Sequence, residues 1–159
     1  MQGNEEQVLR MTRGGLGGDG DQYHIVNFHE EEGDSTSVDA TNTMAVFVAP
    51  CACEIIDLGL SVTTAVVAHS SNHWTIQVQN QTGSANLLST AFNTDSDNSG
   101  NGGRALTANG LDSLCVNSSG TSYLQNAVLA AGDVLLLTAT KAASATALAN
   151  PQVVVKYRP

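Results

Sequence analysis

The chain is poor in positive charge. Of its 159 residues only six are Lys or Arg, against 15 Asp or Glu, and the formal net charge is -9. Proteins that bind nucleic acid or anionic membrane surfaces do so mainly through Lys and Arg side chains. The charge balance therefore predicts that neither nucleic acid nor a membrane surface is a partner of this chain.

Long apolar runs are also lacking. No run approaches the roughly 20 residues that a membrane-spanning helix requires. The first residues, Met1 to Glu6, have neither the basic nor the apolar region of a signal peptide. We therefore expect no targeting peptide and no membrane span.

Cysteine is scarce, and its spacing is uninformative for disulfides. The three residues are Cys51, Cys53 and Cys115. Their odd number and the single residue between the first two fit neither a disulfide framework nor a zinc knuckle. The pattern favours buried or half-buried thiols in a reducing cytoplasm.

The acidic residues are concentrated in residues 1–42. Nine of the 15 lie there, whereas the rest of the chain is nearly neutral. The segment Gly14–Gly20 is too rich in glycine to order itself without a partner surface. We predict that residues 1–42 form an extended arm with one short strand near Tyr23–Phe28, which pairs on a neighbouring subunit or at a sheet edge. The residues predicted to contact a partner are Glu5, Arg10, Arg13, Tyr23, Ile25 and Phe28.

Residues 43–159 have the composition of a β-rich domain. Val, Thr, Ile and Leu are frequent, and only 13% of the whole chain is charged. In the clearest alternating segment, Trp74, Ile76 and Val78 share one face. In Cys53–Val62 the alternation predicts a buried face of Glu54, Ile56, Leu58, Leu60 and Val62. Short strands at this spacing predict an all-β fold, either a sandwich or a barrel. The predicted core residues are Trp74, Ile76, Val78, Leu135 and Val154.

The stretch Asn126–Thr140 contains a turn between two strands. Ala131 to Asp133 has turn composition and separates Val128-Leu129 from the apolar run that begins at Val134. A hairpin or a tight corner is expected there. Asp133 is best explained as part of the turn rather than as a catalytic carboxylate.

Few motifs indicate chemistry. Gly15–Gly20 matches G-x-G-x-x-G, but no strand precedes it and no helix follows, so a linker is favoured over a cofactor site. Asp95, Asp97 and Ser99 are spaced like the first ligands of a calcium loop. The twelfth position would be Leu106, which cannot coordinate a cation, so a solvated loop is favoured over a metal site. Without a nucleophile elbow or a defined acid–base pair, neither an enzyme nor a bound cofactor is expected.

Several segments together resemble the jelly-roll head decoration, or cement, proteins of tailed bacteriophage capsids. These segments are the Pro-closed strand before Pro50, CEIIDLGLSV from Cys53, HWTIQVQ from His73, AAGDVLLLT from Ala130 and VVVKY from Val153. The resemblance implies that the fold is an antiparallel two-sheet β-sandwich of jelly-roll type. It further implies a homotrimer at three-fold or quasi-three-fold positions on the virion exterior, made in the bacterial host cytoplasm. It also implies the major capsid protein as partner.

The sequence leaves two other classes of function open. One is a glycan-binding or receptor-binding sandwich of a phage tail or surface appendage, which the low aromatic content of 4% disfavours because sugars stack on exposed rings. The other is a small enzyme on the same fold, which would need a polar pocket that the sequence does not reveal.

Overall fold

A computed structural model describes residues 20–28, 37–98 and 100–159. Within these ranges the chain forms twelve β-strands and no helix. The strands are β1 Gln22–Asn27, β2 Ser37–Val38, β3 Asn42–Val48, β4 Cys53–Ser61, β5 Trp74–Asn80, β6 Ala85–Asn86, β7 Phe92–Asn93, β8 Leu111–Ser113, β9 Val128–Leu129, β10 Val134–Lys141, β11 Leu148–Ala149 and β12 Gln152–Arg158.

The strands form two five-stranded antiparallel sheets and a short pair, β11 with β2. The first, which we call the β1 sheet, has the order β1-β12-β4-β8, with β9 also paired to β4. The second, the β3 sheet, has the order β3-β10-β5-β6, with β7 also paired to β5. The successive strands β3, β4 and β5 alternate between the two sheets, as do β9, β10 and β12, so the chain crosses repeatedly from one sheet to the other. The predicted antiparallel β-sandwich is confirmed.

The apolar core lies between the two sheets. Trp74, Ile76, Val78 and Leu135 are fully buried, as predicted. The indole Nε1 of Trp74 donates a hydrogen bond of 2.8 Å to the Thr146 carbonyl oxygen, so this large side chain is buried without an unpaired polar group.

The prediction that Val154 belongs to the core is wrong. In β12, Val153 and Val155 are fully buried, whereas Val154 is half-buried on the outer face of the β1 sheet. A run of three valines shows no alternation of polarity, so the sequence does not indicate which of them point inward. The pairing with β4 decides the phase, since Val153 lies opposite Leu60 and Val155 lies opposite Leu58.

A β-bulge divides β4 into two segments of opposite phase. Lys156 lies opposite Asp57 but Tyr157 lies opposite Ile55, which leaves Ile56 as the extra residue. Ile55 is therefore buried before the bulge, and Leu58, Leu60 and Val62 are buried after it. The predicted buried face is correct for those last three residues. It is wrong for Glu54, which is exposed, and for Ile56, which is half-buried.

The predicted turn at Ala131 to Asp133 is a tight corner between the sheets. β9 belongs to the β1 sheet, and β10 to the β3 sheet. The turn is closed by a hydrogen bond of 3.1 Å from the Asp133 N–H to the Ala130 carbonyl, with Gly132 at a φ of 87°. The Asp133 carboxylate accepts hydrogen bonds from the Ala130 N–H and from Asn80 Nδ2. Asp133 is thus occupied in holding the corner.

β1 is an edge strand of the chain's own sandwich. It pairs with β12 from Gln22 opposite Tyr157 to Asn27 opposite Gln152, so the expectation of an edge position is confirmed. Phe28 follows β1, is fully buried, and donates its N–H to the Pro151 carbonyl oxygen at 2.8 Å. The prediction of Phe28 as an interface residue is therefore wrong, because its ring packs in the core.

Candidate interaction surface

Apolar side chains cross the outer face of the β1 sheet. Because neighbouring residues of a strand point to opposite faces, burial of Val153 and Val155 turns Val154 outward, and its partner Ile25 turns outward with it. Tyr23 precedes Ile25 by two residues in β1 and therefore lies on the same face. Tyr23 is 54% exposed and Ile25 is 53% exposed.

The row of apolar side chains continues over Gly59. Gly59 lies between Val154 of β12 and Ser113 of β8. A Cβ atom at Gly59 would lie 2.6 Å from Leu111 Cδ1, so the Leu111 side chain occupies the space above this glycine. Leu111 is 57% exposed. We call Tyr23, Ile25, Leu111 and Val154 the outer patch.

An ionic cluster fixes one end of β1 beside the outer patch. The Asp21 carboxylate contacts Lys156 Nζ and Arg158 Nη2, each at 2.8 Å. The hydrogen bond from Lys156, and then that from Arg158, lower the pKa of Asp21, and the same contact with Asp21 raises the pKa of Lys156. Lys156 Nζ also lies 5.8 Å from the centre of the Tyr23 ring. The cluster ties the beginning of β1 to the end of β12.

The residues predicted as interface residues therefore have different positions. Tyr23 and Ile25 lie on the outer patch, and their role in an interface stays a prediction. Phe28 is in the core, and Glu5, Arg10 and Arg13 lie outside the described residues. The sequence did not indicate Val154 or Leu111 as surface contacts. The valine run does not show which of its residues point outward, and Leu111 lies within the weakly patterned segment Leu106 to Val116.

The predicted calcium-like loop is held together by its own side chains. Asp95 Oδ1 accepts the Asp97 N–H at 3.0 Å, and Asn98 Oδ1 accepts the Gly100 N–H at 2.8 Å. Ser99 lies outside the described residues. Over the described ranges, no three His, Cys, Asp or Glu side chains are grouped so that they could hold a metal ion.

Buried Asn101 attaches this loop to the body. Its Nδ2 donates to the carbonyl oxygens of Thr90 at 3.0 Å and Leu114 at 2.7 Å. The Arg104 guanidinium lies 4.8 Å from the centre of the Phe92 ring and donates to the Ser113 carbonyl oxygen. Through these contacts, the polar side chains in and beside the loop have a structural role.

Carboxylates and imidazoles elsewhere in the body also hold backbone in place. Asp57 Oδ1 accepts the Ser113 hydroxyl at 2.7 Å and the Leu58 N–H at 2.9 Å. Asp112 accepts the Thr107 N–H at 2.7 Å. His69 Nδ1 accepts two backbone N–H groups of the turn that follows it. These hydrogen bonds position loops and strand ends and do not assemble a nucleophile with a base.

The three cysteines are free thiols, and the prediction of buried or half-buried thiols is confirmed. Cys51 is half-buried, and Cys53 and Cys115 are buried. Burial raises the pKa of Cys115 to about 12, and the nearby Asp57 carboxylate acts in the same direction. Burial also raises the pKa of Cys53. Such thiols are poor nucleophiles because the thiolate is the reactive form.

The outer patch is thus the strongest candidate for a functional surface. None of the residues in the described ranges forms a helix long and apolar enough to cross a membrane. Comparison of the chain with protein-family models, with curated proteins and with solved structures finds no match.

Proposed function

We propose that this chain is a structural virion protein that binds the outer surface of a tailed-phage capsid and joins neighbouring capsomers. In this proposal it acts as a homotrimer at three-fold or quasi-three-fold positions. The observation that carries the proposal is the outer patch, an exposed apolar row on the outer face of the β1 sheet. Apolar patches rimmed by polar groups are typical of protein–protein contact sites.

The fold supports this proposal only by analogy with other proteins of similar architecture. Jelly rolls occur in viral capsid proteins and in lectin domains, and a fold does not by itself determine function. The use of Asp57, Asp112 and Asp133 in holding strands and turns adds support, because these carboxylates are engaged within the chain. A surface protein that acts by binding needs a stable scaffold and an exposed patch, and this chain has both.

The charge around the outer patch indicates the chemistry of the partner surface. Lys156 and Arg158 both pair with Asp21, which neutralises part of their charge within the chain. The proposed capsid surface is therefore apolar or neutral where it meets the patch. Since exposed ion pairs are the contacts that salt screens, we expect binding to weaken little between low and physiological salt.

The glycan-binding alternative is not favoured by the position of the aromatic residues. Of the seven Phe, Trp and Tyr residues, only Tyr23 is exposed, and Tyr123 is half-buried. Sugar binding commonly uses an exposed ring as a stacking surface. One ring at the margin of an apolar row fits a protein contact better than a sugar site.

Co-sedimentation with empty capsids tests the proposal. Leu111→Asp places a charge in the outer patch and is expected to lower capsid occupancy at limiting concentration about ten-fold. Val67→Asp is the matched control, because Val67 is 73% exposed and lies outside the patch. Equal occupancy for the two variants would reject the outer patch as the binding surface. A glycan array that gives a specific hit, with no capsid binding, would favour the alternative.

Light scattering coupled to size-exclusion chromatography tests the proposed trimer. A mass near three times the 16.5 kDa of the chain supports it. A monomer at every concentration tested would contradict the trimer.

A further inference from the structure

We infer that the edge of β1 that faces away from β12 pairs with β1 of a second copy of this chain, antiparallel and about a two-fold axis at Ile25. The pairing would join two β1 sheets into one continuous sheet. This inference goes beyond capsid binding, because it concerns a contact between copies through an edge of the sandwich rather than through the outer patch. It can be tested on the purified protein alone.

The backbone groups available for such pairing follow from the ladder between β1 and β12. The Phe28 N–H donates to the Pro151 carbonyl oxygen, which fixes the phase of this antiparallel pair. Every second residue in such a ladder turns its N–H and C=O toward its partner strand. Gln22, His24 and Val26 therefore face β12. The N–H and C=O groups of Tyr23, Ile25 and Asn27 face the open edge, where no strand of the described ranges pairs with β1.

Within its six described residues, β1 lacks the charges, the proline and the bulge by which natural edge strands prevent edge-to-edge association. β1 has no charged residue and no proline, and its pairing with β12 shows no irregularity. The edge strand of the other sheet, β3, differs because a bulge at Val46 interrupts its pairing with β10. Flat, uncharged edges are the ones prone to pair with another strand.

The pattern of β1 fits a second copy of itself. In an antiparallel pair centred on Ile25, Ile25 lies opposite Ile25 of the second copy and Tyr23 lies opposite Asn27. Such an arrangement pairs every backbone group that faces the edge. It also brings the two Ile25 side chains together on the outer face, so that the outer patches of the two copies become continuous.

The contact is smaller than a standard interface. β1 has six residues and so is about 20 Å long at about 3.4 Å per residue. Stable interfaces bury about 800 Å² on each partner, and a single strand edge supplies less. The pairing is therefore concentration-dependent in solution and is strengthened where copies are held close together.

Disulfide trapping tests the register. In the inferred pairing the two Ile25 Cα atoms are about 5.5 Å apart, which is within the range that a disulfide spans. In a Cys51→Ser background, Ile25→Cys is expected to form a linked dimer about ten-fold faster than Val67→Cys. A mixture of Tyr23→Cys and Asn27→Cys chains is expected to cross-link, whereas Tyr23→Cys alone is not. Equal rates for Ile25→Cys and Val67→Cys would overturn the inference.

A proline substitution tests the edge without a new thiol. Ile25→Pro removes an N–H that faces the open edge and leaves the groups that face β12. Light scattering is expected to show that the concentration-dependent increase in mass is lost, and circular dichroism should confirm the fold. Ile25→Lys is a second variant that places a charge at the edge. Association of either folded variant like the wild type overturns the inference, whereas loss of capsid binding in Leu111→Asp alone does not affect it.

Discussion

Gly59 and Gly102 each lie where a Cβ atom would meet a neighbouring side chain, but the two neighbours differ in their freedom to move. At Gly59 the contact is the end of Leu111, which is largely exposed and can rotate away. At Gly102 a Cβ would lie 2.0 Å from Asn93 Oδ1. Asn93 is buried, and that oxygen accepts the Asp95 N–H at 3.1 Å.

Alanine substitutions at these two glycines should therefore differ in cost. Gly102→Ala forces the buried Asn93 amide to move and is expected to lower the free energy of unfolding by about 1–3 kcal/mol. Gly59→Ala displaces an exposed side chain and is expected to cost less than about 1 kcal/mol. Urea denaturation monitored by Trp74 fluorescence measures both. A larger loss for Gly59→Ala would contradict this account.

The Asp21 cluster predicts a pH dependence with a definite sign. The folded pKa of Asp21 is lower than its ordinary value of 3.8. Its contribution to stability is therefore fully present above that value and is lost as the pH falls through the folded pKa. The folded pKa of Lys156 is higher than 10.5, so its contribution is present below that value and is lost as the pH rises through the folded pKa.

Asp21→Asn should thus be less stable than the wild type at pH 7. The difference between the two proteins should shrink as the pH falls below 3.8 and through the lowered pKa of Asp21, because the wild-type carboxyl then also becomes neutral. Denaturation curves across that range measure it. Asp39→Asn serves as the comparison, because Asp39 pairs with Lys141 while its side chain is 71% exposed, and such pairs contribute little. A difference that stays constant down to pH 2 would contradict the assignment to Asp21.

The thiols predict a simple order of reactivity. At pH 8 a water-soluble thiol reagent should label half-buried Cys51 in the native protein. It should label Cys53 and Cys115 only after unfolding, because both are buried and burial raises their pKa values. Mass spectrometry of labelled peptides shows the order. Native labelling of Cys115 at the rate of Cys51 would contradict it.

At the scale of strands, the sequence predicts best where polarity alternates without interruption. The segment from Trp74 shows regular alternation, and its buried face was predicted correctly. In β4 and β12, the alternation of polarity does not determine which residues are buried. The bulge at Ile56 follows from pairing with a strand nearly a hundred residues away in the sequence, and the valine run of β12 takes its phase from the same partner. Phe28 was misassigned because a residue next to an edge strand can still point into the core.

The bulge in β4 has a side-chain support that can be tested. Asp57 follows the extra residue and accepts hydrogen bonds from the Leu58 N–H and the Ser113 hydroxyl. Asp57→Ala is expected to destabilise the protein by about 1–3 kcal/mol, because hydrogen bonds to charged groups are among the stronger ones. Asp57→Asn keeps an acceptor oxygen and should recover part of that loss. Thermal unfolding distinguishes the variants, and an effect of Asp57→Ala no larger than that of Ser61→Ala would contradict the role of Asp57.

At the scale of the whole molecule, the outer patch could be predicted only in part. Tyr23 and Ile25 come from one strand with a readable pattern. Val154 and Leu111 come from strands far along the chain, and only the sheet order β1-β12-β4-β8 brings the four together. A surface assembled from three separate segments leaves no local signal in the sequence.

The contacts of Asp21 and Gln22 with β12 determine how much of the predicted arm can be removed without loss of β1. Asp21 and Gln22 hold β1 to β12, so a deletion of residues 1–19 leaves these contacts in place. This deletion is expected to lower capsid occupancy in co-sedimentation, while the sandwich still unfolds cooperatively. A deletion of residues 1–27 removes an edge strand as well and should also lower the unfolding temperature. Unchanged occupancy after removal of residues 1–19 would reject the arm as a capsid contact.

The pairing of β1 with β12 has a mechanical consequence. Because the strands are antiparallel, Gln22 and Tyr157 lie at the same end of the sheet, where Asp21 meets Arg158. A force that pulls the chain before β1 away from the chain after β12 acts on one hydrogen-bonded pair at a time, starting at this ionic cluster. The strands would then separate by peeling from one end rather than by sliding past each other. The resistance of the β1 sheet to such a force therefore depends first on three charged side chains, and only afterwards on the core.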